Sequence, residues 1–398
     1  MEAVKLLPQA KILQEWWSEV KDNFWEEDAK PEVLRLVKEL MESTIKEELV
    51  MYTQSEWYQR TAERREYRNG YYKRSLVTQF GTIDDINTPR LRSKGFKTRV
   101  FRRYKRYQDI VEGLIQDIFL AGVSTRRVGD AITKLLDTRV SHTTVSNITK
   151  KLDKKVREYK NKRILDEYQY LFLDAITLKV RYNNTYHNRK ILAAYGISIF
   201  GRREFIGFMQ SQGESLDAWE GFLNSLYRRG LEGKNLKLII IDGAKGLRSS
   251  LQIVYPLIPV QRCWAHKNRN VSNYLPRKYQ QECVDELDKI YNAKNKHHAL
   301  GAFKSWKKKW QQISPKAVNC IEKDLEELLH FYSFSESHWK KIRTTNIIER
   351  SFREVRRRTR VFSCFSNKES CDRIIYAIFV HLNNKWKEHP IKQFTQFS

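Results

Sequence analysis

The stretch from Tyr168 to Cys263 constrains the fold more than any other part of the chain. Its runs YQYLFLDAITLKVRY, RKILAAYGISIF and REFIGFMQ read as three strands, with turn signals at Asn183-Asn184 and Gly201-Arg202 between them. An amphipathic helix, ESLDAWEGFLNSLYRRG, ends at Gly230. A short apolar strand LKLIIID, a helix GLRSSLQIV and a strand IPVQRC follow. Three hairpin-like strands and then helix, strand, helix and strand predict a mixed α/β sheet.

Within that pattern two acids are out of place. Asp174 interrupts the apolar strand Leu171, Phe172, Leu173, Ala175, Ile176, and Asp242 ends the run Leu238–Ile241. A carboxylate in a buried strand is costly unless it is paired or bound to a cation. At the carboxyl end of a strand it reaches the crevice where α/β sheets bind ligands. Asp242 equally fits a strand-end Asp capping the next helix, with Gly243 in the turn. A third acid, Glu349, lies in RTTNIIERSFREVRRRTR. Asn346-x-x-Glu349 matches a capping box, a structural role. The alternative is a carboxylate aimed from a helix at the other two. Two Asp and one Glu supply the hard oxygen ligands that magnesium or manganese prefers. Two such ions about 4 Å apart serve phosphoryl transfer. The spacings are 242 − 174 = 68 and 349 − 242 = 107 residues. The long second gap is filled by a helical stretch over 276–335.

Cys263 and His266 form a C-x-x-H pair that is half of a zinc site by spacing, with no second half nearby. A buried thiol beside a helix N-terminal histidine is the structural reading, and a histidine bonding a phosphate is the functional one. Trp264 and Trp339 lie near these residues, where core packing competes with stacking on an unpaired base. The helix after Glu349 carries six arginines (Arg350, Arg353, Arg356, Arg357, Arg358, Arg360) against one acid, Glu354. Phosphate contact by Arg350, Arg353 and Arg357 is expected there.

Charge points the same way. Lys plus Arg is 74 and Asp plus Glu is 47, a formal net charge of +27. A folded chain this basic most often meets nucleic acid. No apolar run approaches the roughly 18 residues needed to cross a bilayer. MEAVKLLPQA has no signal-peptide pattern, and the five scattered cysteines suit a reducing compartment. A secreted disulfide scaffold and an integral membrane protein are excluded on these grounds.

The remaining segments divide as follows. Residues 1–60 are helical, with Val33, Leu34, Leu36, Val37, Leu40 and Met41 at helical spacing and Pro31 in a first turn after Asp28 and Lys30. Residues 61–106 form a small basic β-element. The string from Arg60 to Tyr107 holds 15 Arg or Lys, an Asn69-Gly70 turn signal and the alternation Leu76, Thr78, Phe80. Residues 107–155 read as helix, turn, helix, with Ser124 and Ser141 as caps. The second helix would present His142, Thr143, Thr144, Asn147 and Lys150 to a major groove, and an ordinary αα-hairpin fits as well. Residues 156–168 read as a helical connector. A catalytic core over 165–275 and 340–398, split by the helical stretch 276–335, completes the division.

Together these motifs resemble the Mutator-like transposases of bacterial insertion sequences, a family of DDE transposases. The likeness rests on LFLDAITLKVR, LIIIDGAKGLRSSL, YPLIPVQRCWAHKNRNV and TTNIIERSFREVRRRTRVFSCFSN, with YRNGYYKRSLVTQFGTIDDINTPRLR and GVSTRRVGDAI upstream, over residues 55–390. The resemblance implies an RNase H-like core interrupted by an all-helical insertion and preceded by a helix-turn-helix DNA-binding region. It implies Asp174, Asp242 and Glu349 as a triad holding two magnesium or manganese ions, and His266 as a catalytic group near the scissile phosphate. Cys263 is counted with the DNA contacts. It further implies binding of terminal inverted repeats and target DNA, a homodimer on DNA, and a bacterial cytoplasm with nucleoid association. A resolvase-like nuclease without strand joining, and a non-catalytic DNA-binding regulator using residues 124–152, are the rival readings.

Overall fold

The computed structural model describes residues 8–20, 30–93, 95–102, 105–121, 123–136, 138–360 and 364–395. Asp28, Gly122 and residues 361–363, which belong to motifs above, lie outside the described residues. The chain divides into two compact units, Met1–Lys150 and Lys151–Ser398. Among the described residues no helix is long and apolar enough to cross a membrane.

In the first unit, α1 (Pro8–Val20) and α2 (Lys30–Thr53) precede a hairpin of β1 (Arg68–Thr78) and β2 (Gly81–Leu91). Ile45 of α2 packs with Leu76, Ile83, Ile86 and Phe101 in one small core. The hairpin turn falls at Gln79-Phe80, not at Asn69-Gly70. Gly70, at φ +72°, instead sits in a register shift between Arg68 and Tyr71. A bulge needs a positive φ as a tight turn does, so the two share a sequence signal. Helices α3 (Asp109–Leu120), α4 (Thr125–Leu136) and α5 (His142–Lys150) follow. Ser124 Oγ accepts from Arg127 N at 3.4 Å and Ser141 Oγ from Thr144 N at 3.1 Å, the two expected caps.

The second unit opens with α6 (Leu152–Asn161), so the connector expected over 156–168 is helical only to Asn161. Strands β3 (Tyr168–Tyr182), β4 (Thr185–Ser198) and β5 (Arg203–Ser211) then run as an antiparallel meander. Asn183 and Asn184, at φ 45° and 60°, make the first turn. Helix α7 (Leu216–Arg228) leads to β6 (Leu238–Ile241), α8 (Lys245–Val254) and β7 (Val260–Arg262). The sheet order is β5-β4-β3-β6-β7, and β4 alone runs against the other four.

Alternation along β3 sorts its side chains to two faces. Leu171 and Leu173 join Trp219, Phe222 and Leu223 of α7 and Leu247 and Leu251 of α8 in the main core. The other face carries an aromatic layer in which Phe205 stacks on Phe379 at 3.7 Å and Phe172 meets Tyr195 edge-on at 5.7 Å. Between β7 and that layer run α9 (Trp264–Ser272), α10 (Arg277–Tyr291), α11 (Lys296–Ile313), α12 (Pro315–Glu322), α13 (Leu325–Leu329) and α14 (Glu336–Ile342). Finally α15 (Asn346–Thr359) and α16 (Lys368–Lys387) cover the aromatic face. Ile348, Phe352, Val355 and Thr359 form the buried stripe of α15, which leaves its other sides to charge.

Candidate active site

The parallel register of β3 and β6 pairs Leu173 with Ile241. Asp174 and Asp242 are therefore the next residues on adjacent strands, whose backbones lie about 4.8 Å apart. Because Leu173 faces the main core, Asp174 faces the opposite side, where α15 brings Glu349 in its first turn.

Asp174 is 9% exposed, and its Oδ1 accepts from Ala175 N at 2.7 Å. Burial, and then the charge of Asp242, push its carboxyl up to about 7, with Glu349 adding to the rise and His266 opposing it. Asp242 Oδ1 accepts from Ala244 N at 2.9 Å, a local turn bond; Ala244 holds the cap position of α8 with no side-chain cap bond, so Asp242 does not cap that helix as expected, and its second oxygen is left for other work. Gly243 between them has φ +101°, and a Cβ there would collide with the Arg262 guanidinium. The positive φ favours glycine at this turn, and any side chain there would displace the Arg262 guanidinium.

Arg262 belongs to a buried charge cluster. Its Nη1 lies 3.4 Å from Asp324 Oδ1, and Lys267 Nζ donates to Asp324 Oδ2 and, at 3.1 Å, to the Cys320 carbonyl. Arg262, Lys267 and Asp324 are all buried. Burial alone would raise the Asp324 carboxyl, but the hydrogen bond from Lys267 and the charge of Arg262 outweigh it and hold the group below its usual range. The cluster ties β7 and α9 to the junction of α12 and α13.

On the other flank, Cys263 caps α9 and His266 lies in its first turn. Thr345, fully buried before α15, joins them to Glu349. Its Oγ1 lies 3.2 Å from Cys263 Sγ, 3.4 Å from His266 Nδ1 and 2.7 Å from Glu349 Oε1. The hydroxyl has one proton, and the short contact places it on the carboxylate. Thr345 N donates to the sulfur at 3.2 Å. Burial would raise the Cys263 thiol, yet hydrogen bonds from His266 and Thr345 hold it below its usual value. Hydrogen bonding to Cys263 raises the imidazole of His266 to about 9, against desolvation, with Glu349 Oε1 3.6 Å away.

Several expectations change here. Thr345, not Asn346, holds the cap position of α15, and its side chain makes no capping bond to the backbone. The capping-box reading of Glu349 gives way to a carboxylate held by Thr345. Cys263 is 1% exposed with its sulfur already bonded, which leaves no surface for the DNA contact assigned to it. Trp264 is likewise buried, its Nε1 donating to the Leu328 carbonyl at 2.7 Å, and Trp339 packs on Tyr332. Cys263, His266 and Glu349 bring one ligand atom each within 4.8 Å, a donor set suited to zinc. Glu349 is thus shared between that grouping and the two aspartates. Thr345, Arg262, Lys267 and Asp324 were not singled out by the sequence, because each acts through a partner far along the chain.

Arg350, next to Glu349, and Arg353, about one turn beyond it, are both exposed on α15. Arg357 is exposed too, but its guanidinium is bidentate on Glu354, at 2.8 Å through each nitrogen. In the first unit, His142, Thr143, Asn147 and Lys150 of α5 are exposed and Thr144 is half-buried.

Residues 12–389 match the family described as Transposase, Mutator family. The chain is 32% identical over 359 residues to a transposase for insertion sequence element ISRM5 of Rhizobium meliloti (strain 1021), covering 90% of this chain and 89% of that one. It is 34% identical over 339 residues to the transposase for insertion sequence element IS256 in transposon Tn4001 of Staphylococcus aureus, covering 84% and 86%. Among solved structures, the Drosophila P element transposase strand transfer complex overlaps 74% of this chain and 67% of that one, at 14% identity and a TM-score of 0.30.

Proposed function

The chain belongs to the Mutator family of transposases, and from that premise we propose that Asp174, Asp242 and Glu349 are the carboxylates of a DDE centre on an RNase H-like core. The observation that carries this reading is the pairing of Leu173 with Ile241, which sets two aspartates side by side, with Asp174 pushed up to about 7 by burial and by Asp242. The sheet order, with β4 alone reversed, supports the RNase H-like assignment. The helices α10 to α13, between β7 and α15, are read as the insertion.

Crowded carboxylates that repel one another fit a divalent cation, magnesium or manganese. Such ions, two on this reading, would polarise the scissile phosphate and the attacking oxygen when bound. The chain does the rest. Asp174 and Asp242 hold the near side of the site, and Glu349, oriented by Thr345, closes it. His266 is protonated at neutral pH and donates a hydrogen bond to the scissile phosphate. Arg350 and Arg353 grip the backbone beyond. In the first step water bonds to phosphorus as the P–O3′ bond breaks, and the departing 3′ oxygen takes a proton. In the second, that 3′-hydroxyl gives up its proton and bonds to the phosphorus of another phosphodiester as that linkage's own P–O3′ bond breaks, and the departing 3′ oxygen takes a proton to become a new 3′-hydroxyl. Helices α4 and α5 are proposed to read the terminal inverted repeats, a homodimer to pair them, and the bacterial cytoplasm to house the reaction.

The test uses purified protein, a labelled duplex from the DNA flanking its gene, and magnesium, EDTA or the Asp242→Asn variant. Metal-dependent 3′-hydroxyl ends and joined products, both lost in the variant, are expected. Cleavage without joining favours the nuclease. Tight binding with neither product, on DNA carrying the repeats, favours the regulator.

A further inference from the structure

We propose that the cleft beside the β1–β2 hairpin is a sequence-independent clamp for the phosphate backbone of duplex DNA, separate in role from the α4–α5 pair; this rests on the chain acting on DNA. The cleft has a volume of about 1620 Å³ and is lined by Arg90, Arg92, Lys97, Arg99, Arg102 and Arg106. All six are exposed. Its one acidic lining residue, Asp85, lies 3.5 Å from Lys73 on the same wall. Among the described residues no ion pair joins any of the six to a carboxylate. Glu66 lies near enough to act on Arg92 and Glu48 accepts from the Arg99 backbone N–H, yet the cleft keeps a surplus of positive charge that a polyanion offsets.

The cleft is built rather than merely charged. Arg74 lies 4.2 Å over the Phe101 ring and donates to the carbonyls of Arg102, at 3.0 Å, and Lys105. It thereby holds the backbone at Arg102 and at Lys105, next to Arg106. Arg90 lies 5.1 Å over Tyr72, its guanidinium resting on the ring. A stacked guanidinium keeps its N–H edge free for phosphate.

The same contacts decide the ligand. Single-stranded DNA is bound by stacking bases on open aromatic faces. Of the four aromatic lining residues, Phe101 is buried and Tyr72, Phe96 and Tyr107 are half-buried, Tyr72 beneath an arginine and Phe96 edge-on against Tyr52, so none is an exposed platform. Base edges are read by Asn, Gln, Ser and Thr as well as Arg on an element that enters a groove. The cleft is concave and lined by eight cations and seven Asn, Ser and Thr residues, all of them groups that bond phosphate oxygens, and its surplus of exposed positive charge is what the duplex backbone fits.

The experiment measures fluorescence anisotropy of the full chain on two duplexes across a salt series. One is of arbitrary sequence and the other carries the DNA flanking the gene. Replacing Arg99, Arg102 and Arg106 together by Gln is expected to weaken both duplexes equally, by about 10- to 100-fold, and to flatten the log–log salt slope by about two to three. The matching Lys replacements keep most of the affinity, because a phosphate contact needs charge, and they show that the fold tolerates change there. Unchanged affinity and slope would overturn the clamp, as would a loss confined to the flanking-end duplex or to single strands. Wild-type protein that binds neither duplex would overturn the DNA reading itself along with the clamp.

Discussion

Two regions of this chain gather like charge, and they differ in sign and in burial. Around Asp174 the charge is negative and the key group is 9% exposed. In the hairpin cleft the charge is positive and stands in solvent. Burial makes the first gathering costly enough to move Asp174 to about 7, and only a compact multivalent cation fits among strands. The second is open, and suits a long polyanion laid across it. What both teach is that a gathering of like charge with no opposite charge inside it marks a ligand of opposite sign, whereas one that holds its own partner does not. Arg262 and Lys267 share the carboxylate of Asp324, and Lys267 also donates to the Cys320 carbonyl, so their charge is offset in part from within. On α15, hydrogen bonds from Arg357 and then Arg358 hold Glu354 down at about 2, despite some desolvation, so those two arginines are already spoken for.

The comparison breaks most visibly at the carboxylates. Asp174→Asn should reduce strand cleavage by about a thousandfold. Affinity for duplex should remain, as read by anisotropy; an equal loss of binding would erase the division of labour between the regions. Next, Asp324→Ala removes the one carboxylate that Arg262 and Lys267 share. Two buried cations without a partner should lower stability by about 3–5 kcal/mol in a denaturant melt; an unchanged midpoint would mean that water, not Asp324, meets those charges. Third comes the cation itself. The raised carboxyl of Asp174 binds a proton more tightly folded than unfolded. Its contribution to stability is therefore full below about pH 4 and lost as pH rises through about 7. Magnesium should reverse that loss by about 1–3 kcal/mol. The rise in melting temperature on adding magnesium should be larger at pH 8 than at pH 5.5, and absent in Asp174→Asn. The smallest effect separates two arginines of one helix. Arg350→Gln should reduce the salt slope of DNA binding by about 0.9, one phosphate contact. Arg357→Gln should change it by less, since Glu354 holds that guanidinium.

The sheet was legible because apolar runs and positive-φ turn residues are local signals. Asn183-Asn184 announces its hairpin, and LIII is a buried strand by content alone. Asn69-Gly70 misled because a bulge and a turn ask the same of the backbone. The three carboxylates stood out as acids in apolar or helical settings where they had no local reason to be. Their supporting residues did not. Thr345 meets Cys263 across 82 positions and Lys267 meets Asp324 across 57, and no periodicity encodes a contact at that range. A charge count likewise could not show which arginines Glu354 had taken.

The wide separation of the carboxylates also sets an order in time. The first unit ends at Lys150, and Glu349 is made 349 − 150 = 199 residues later. At about 5–20 residues per second that interval is about 10–40 s. Throughout it the hairpin cleft and α4–α5 can fold on the growing chain, while α15 does not yet exist. If both bind DNA as proposed, the growing chain acquires its grip on DNA before the helix that carries the third carboxylate has been made.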